Sequence, residues 1–115
     1  MLIGEFAQSV GSTKDTVRLY TRLGLLTAGY RAAGQREYAV YDGQQVERFE
    51  FIDLCKALGF TLQEIANALN ERDAGALTAQ RQQALLEEKL KSIEDRIEAL
   101  RQSEARLRTK LEKWQ

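Results

Sequence analysis

Apolar residues near the start of the chain recur at helical spacing. Ile3, Phe6, Ala7 and Val10 fall at i, i+3, i+4 and i+7, which predicts a short helix stopped by Gly11. Thr13 then reads as the N-cap of a second helix over about Lys14 to Leu23, with Val17, Leu19, Tyr20 and Leu23 as its apolar positions and Gly24 as its stop. Two short helices joined by a glycine-containing turn predict a helix-turn-helix. From Leu25 to Tyr41 the helical spacing lapses. Two glycines among the β-formers Tyr30, Tyr38, Val40 and Tyr41 predict a two-strand hairpin, or wing, with Arg31 and Arg36 near its tip. Asp42 with Gln45 resembles a capping box for a third helix reaching Leu58, with Val46, Phe49, Ile52 (or Phe51) and Cys55 or Lys56 around its inner stripe. Gly59 ends it. Thr61-Leu62-Gln63-Glu64 is a second capping box, and it opens a short helix to about Asn70 that buries Leu62, Ile65, Ala66 and Leu69.

After Gly75 the pattern changes. No glycine follows for forty residues, so the chain divides into a head over 1–75 and a continuous segment over 76–115. In that segment Leu86, Leu90, Ile93, Ile97, Leu100, Leu107, Leu111 and Trp114 alternate at spacings of four and three, with Glu104 filling the one gap. This is a heptad seam with d at Leu86, Ile93, Leu100, Leu107 and Trp114, and a at Leu90, Ile97, Glu104 and Leu111. A helix of about 38 residues would span roughly 57 Å at ~1.5 Å per residue, so the seam calls for a partner helix. The charges give the direction. In an antiparallel pair Glu87 meets the second copy's Arg108, and Glu94 meets its Arg101, in the registry that also aligns the core layers. A parallel pair stacks Glu104 on itself, a buried carboxylate clash. The antiparallel pair sets Lys89 beside Lys110, an exposed pair of small cost. An antiparallel homodimer is therefore expected, against an intrachain hairpin or a solvated single helix.

Composition narrows the chemistry. The 115 residues carry 17 basic and 17 acidic groups, no histidine, no proline and one cysteine. The commonest general base and metal ligand is thus absent, and one thiol can form neither an internal disulfide nor a multi-thiolate zinc site. No phosphate loop or Ser/His/Asp set is present, so an enzyme is not expected. No apolar run approaches the ~20 residues of a membrane span, and the start lacks the marks of a signal peptide, so a cytoplasmic protein is expected. Regional charge is uneven: +1 over 1–42, −3 over 43–75 and +2 over 76–115. Any nucleic-acid binding must come from a few placed cations and weaken steeply with salt.

Five blocks in order carry a resemblance: Ile3-Gly4-Glu5-Phe6-Ala7, Thr16-Val17-Arg18-Leu19-Tyr20, Leu23-Gly24-Leu25-Leu26, Phe51-Ile52, and Cys55 through Ile65. At these spacings the chain resembles the MerR family of bacterial transcription regulators over residues 2 to about 70, with the long helix following as in that family. The resemblance implies a mainly α-helical fold: a winged helix-turn-helix head with a small β wing, then a dimerisation helix forming an antiparallel coiled coil. It further implies a sequence-specific regulator that binds promoter DNA with a long spacer as a homodimer, distorts it, and works with RNA polymerase. A small-molecule inducer is possible in such a regulator, and no resident cofactor or metal is expected. The family's metal-sensing branch needs thiolates at the start of and beyond the dimer helix, so metal sensing is not expected here.

The candidate DNA-binding residues are Lys14, Thr16, Arg18 and Tyr20 on the second helix and Arg31, Arg36, Tyr38 and Tyr41 on the wing. Lys14 and Arg18 can reach phosphates or guanine edges from the first turns of a groove-entering helix. Asp15 is a poor phosphate neighbour and serves either the helix N-terminus or a cytosine amine. Tyr20 fits the family's aromatic contact, while Leu19 and Thr21 stand where the family has tyrosine and glutamate. Tyr20, Tyr38 and Tyr41 have core or wing packing as their alternative role. Cys55 is either a small core residue or a thiol sensor. Trp114 either caps the seam or floors a ligand pocket. Glu104 either sets registry, pairs along its own helix, or faces a cationic ligand. The competing functions are a coiled-coil adaptor and a DNA-binding fragment of a larger regulator.

Overall fold

The computed structural model describes all residues, 1–115, as five helices and one two-stranded sheet: α1 (Ile3–Ser9), α2 (Lys14–Arg22), β1 (Gly29–Ala33), β2 (Arg36–Val40), α3 (Gly43–Ala57), α4 (Leu62–Asp73) and α5 (Ala79–Glu112). Two compact units divide between Asp73 and Ala74.

In the first unit the local chemistry of each helix end sets where it stops. Thr13 caps α2 by accepting from Thr16 N–H at 3.2 Å. At the other end Leu25 N–H bonds Tyr20 C=O at 2.9 Å and Gly24 N–H bonds Thr21 C=O at 3.1 Å, the paired bonds of a Schellman turn. Gly24 sits at φ +78°, which a side chain would strain. The same pairing closes α3 at Gly59 and Phe60. The Thr61 box forms in full, with Glu64 N–H on Thr61 Oγ1 at 3.1 Å and Thr61 N–H on Glu64 Oε1 at 2.9 Å. The Asp42 box forms only in half. Asp42 accepts from Gln45 N–H at 3.2 Å, but the Gln45 side chain turns inward and accepts Thr27 N–H at 2.8 Å.

The core gathers under α1, α2 and α3. Phe6 stacks on Tyr41 with ring centroids 4.7 Å apart, meets Phe49 edge-on at 6.2 Å, and Tyr20 closes the group against Phe49 at 5.7 Å. Val17, Leu25, Leu26, Ile52, Ile65 and Leu69 fill the rest. Arg48 ties the rim. Its Nε donates to Leu25 C=O at 2.9 Å and its Nη1 pairs with Asp73 at 2.6 Å. Asp73 is the last residue of α4, three positions beyond the end read from the sequence.

The wing is a hairpin with Ala33 opposite Arg36, so its turn is Gly34-Gln35. Gly34 has φ +67° and no other turn residue is left-handed, the signature of a type II′ turn. On the far edge of β2, Leu2 bridges Val40, and Met1 and Tyr41 exchange two backbone bonds of 2.7 Å. The base of the wing is thereby tied to the start of α1.

The second unit is dominated by α5, 34 residues capped by Thr78 Oγ1 on Arg81 N–H and containing no buried residue. At ~1.5 Å per residue it is about 51 Å long. No helix of the protein is long and apolar enough to cross a membrane.

Candidate nucleic-acid interface

On α2 the core face and the cationic face are opposed. Val17 and Tyr20 point inward, while Lys14, Arg18 and Arg22 follow at i, i+4 and i+8 along the exposed stripe. Arg18 is paired: its Nη1 lies 3.3 Å from Asp15 Oδ1, one turn earlier on the same exposed side. Thr16 is half-buried, and its hydroxyl sits 3.1 Å from that of Thr13 within the cap. Lys14 lays its stem across Gly4 of α1, where a Cβ would come within 3.2 Å of Lys14 Cε. Glycine at that place lets the lysine run flat over the start of the helix.

The strand pairing sorts the wing side chains onto two faces. Arg31 pairs with Tyr38 and Ala33 with Arg36, so Arg31, Arg36 and Tyr38 share one face. Glu37 pairs with Ala32 and Tyr30 with Ala39 on the other. The wing's one acid therefore points away from its arginines. Tyr38 also lines an open concavity with Leu2, Gly4 and Lys14, which makes α2 and the cationic wing face neighbours along one surface. Exposed guanidinium and ammonium groups beside a tyrosine suit a phosphodiester backbone.

Two expected contacts are corrected. Tyr20 and Tyr41 are 3% and 2% exposed, so neither presents its ring to a ligand. Tyr20 lies over Phe49 and its hydroxyl accepts from Lys56 Nζ at 3.1 Å. Tyr41 stacks on Phe6, with its hydroxyl 2.8 Å from that of Thr21. Aromatic burial decides both, because each ring fills a junction between helices that no smaller side chain would close. Lys56 is the partner that sequence reasoning placed near the core stripe; it is exposed, and its ammonium is held above its ordinary pKa first by the Tyr20 hydroxyl. Thr21 and Gln45 are polar residues whose tertiary bonds leave no periodic signal.

Cys55 is half-buried, and burial pushes its thiol pKa up, the opposite of what a reactive thiolate needs. On α5 the proposed seam is bare: Leu86, Leu90, Ile93, Ile97, Leu100, Leu107 and Leu111 are 36–67% exposed and Trp114 86%. Glu104 lies 3.6 Å from Arg108 along its own helix.

Residues 1–72 match the family described as MerR HTH family regulatory protein, and residues 46–110 match the one described as MerR, DNA binding. The chain is 35% identical over 105 residues to a mercuric resistance operon regulatory protein of Bacillus cereus, covering 91% of this chain and 78% of the relative. It is 32% identical over 111 residues to an HTH-type transcriptional regulator ZntR homolog of Haemophilus influenzae, covering 96% and 78%. Its fold is similar to the crystal structure of the transcription regulator PbrR691 from Ralstonia metallidurans CH34 in complex with lead(II), with a TM-score of 0.79 and 33% identity over 93% of this chain and 81% of that one. One of these proteins is named for mercury resistance and another was solved with lead(II), so the sequence expectation against metal sensing finds no support among them.

Proposed function

The chain belongs to the MerR HTH family and is a DNA-binding transcription regulator of that type, not an enzyme, and we propose that it acts as an antiparallel homodimer on long-spacer promoter DNA. Lys14 and Arg18 enter the major groove from α2, and Arg31, Arg36 and Tyr38 hold the adjacent backbone from the wing. The observation that carries this reading is the concavity shared by Lys14 and Tyr38, which puts recognition helix and wing face side by side. The homodimer is supported by a 34-residue helix that buries nothing on its own and exposes a heptad seam. Two heads held at a fixed spacing can bend and untwist the duplex between them, and RNA polymerase is the partner that such distortion serves.

A salt-titrated band shift on a long-spacer promoter duplex, run beside sedimentation equilibrium, tests this. A dimer whose affinity falls steeply with salt is expected. A monomer, or binding indifferent to salt, contradicts it and favours a coiled-coil adaptor. The relatives' names favour a second reading for the effector, a thiophilic metal ion. Calorimetric titration of wild type and Cys55→Ser with Hg(II) separates that from an organic inducer.

A further inference from the structure

A carboxylate on a surface built to meet phosphates is out of place, and Asp15 is such a carboxylate. Its side chain is 96% exposed, in the first turn of α2, between Lys14 and Arg18 on the cationic stripe. The fold gains little from it. An exposed i, i+3 ion pair is weak, and a first-turn acid adds only a modest dipole term. Yet Asp15 bonds one terminal nitrogen of Arg18, leaving the other terminal nitrogen and Nε of the guanidinium free. We propose that Asp15 is a specificity-determining residue, and that Asp15 and Arg18 read neighbouring bases together. Arg18 donates to guanine O6 and N7, and Asp15 accepts from the N4 amine of a cytosine. A guanine or thymine in that cytosine's place turns acceptor oxygens toward the carboxylate and is rejected, which supplies the repulsive half of the discrimination. The inference rests on the placement of α2 in the major groove.

The test is selection from a randomised duplex pool with the full-length chain, comparing wild type, Asp15→Ala, Asp15→Asn and Arg18→Ala, each checked for an unchanged helical spectrum. Wild type is expected to enrich cytosine at one position per half-site, beside a guanine. Asp15→Ala flattens the cytosine preference by between about 5-fold and 150-fold, the discrimination of one good base-edge pair, while raising affinity for unrelated DNA. Asp15→Asn moves the preference at that position toward adenine, which an amide can bond at N6 and N7. Arg18→Ala flattens the guanine. If wild type enriches a motif that both Asp15 variants reproduce at every position, Asp15 is only a charge brake and the inference falls while α2 stays in the groove. If wild type enriches nothing and its binding ignores salt, the groove placement falls as well.

Discussion

The ammonium of Lys56 donates to the hydroxyl of Tyr20 at 3.1 Å, joining the last turn of α3 to the core face of α2. The recognition helix is thus held in place by an exposed cation gripping a buried ring. Tyr20→Phe keeps the ring and loses one hydrogen bond, and should cost about 1 kcal/mol in urea unfolding. Tyr20→Ala opens a core cavity and should cost about 3–5 kcal/mol. Folded Tyr20→Phe should retain DNA binding close to wild type; a selective loss of binding at unchanged stability would put the hydroxyl on the duplex instead. The pH sign follows from the raised Lys56 pKa: the contribution is complete below the ordinary lysine value of 10.5 and is lost as pH climbs through the folded one. The stability gap between wild type and Tyr20→Phe should therefore be flat near neutrality and close only at alkaline pH.

The wing's two faces make opposite predictions. Arg31→Ala and Arg36→Ala should each weaken binding on all sequences and reduce the slope of log affinity against log salt by about 1. Glu37→Ala, on the reverse face, should leave that slope within error. Fluorescence anisotropy at four salt concentrations is sufficient, and equal effects from Arg36 and Glu37 would refute the assignment of faces.

The seam is tested by charge. Glu94→Arg should weaken self-association by setting two arginines together, and adding Arg101→Glu should restore it, since the two positions meet only in the antiparallel registry. Exposed pairs contribute ~0.2–1 kcal/mol each, and two such contacts per dimer place the change near the lower limit of sedimentation equilibrium. Leu100→Lys, in the seam itself, should dissociate the dimer outright while the head keeps its aromatic circular dichroism.

Gln45 is the one buried polar residue, 7% exposed, and its Oε1 accepts the Thr27 amide at 2.8 Å. Gln45→Leu preserves the backbone cap from Asp42 but strands that amide. A loss of about 1–3 kcal/mol is expected in thermal or urea unfolding. A neutral result would mean that water replaces the side chain at Thr27.

Much of the head can be read from local chemistry. Thr13, Gly24, Asp42, Gly59 and Thr61 mark helix ends because capping acts over four residues and leaves a short-range signature. The hairpin was legible from its glycines and β-formers. What local pattern cannot say is which aromatic faces inward. Tyr20 and Tyr38 differ little as residues, yet one closes on Phe49 and the other stands half-open beside Lys14. Gln45 looked like a capping partner because its spacing from Asp42 fits, and a bond across eighteen positions to Thr27 took its side chain instead. The extension of α4 to Asp73 has the same origin, in the distant Arg48. Lys14, Arg18, Arg31 and Arg36 were visible as cations; their common setting with Tyr38 depended on strand register and on Gly4.

The two-residue turn at Gly34-Gln35 constrains how the wing can diverge among descendants of this chain. Because successive side chains alternate, one residue added to each strand at the tip lengthens the ladder by a rung, about 3.4 Å, and leaves the arginines where they were. A single-residue insertion has no such neutral path: it must bulge, or it slips the ladder and turns Glu37 outward in place of Arg36. Paired insertions at the tip are therefore the changes in wing reach that drift can tolerate.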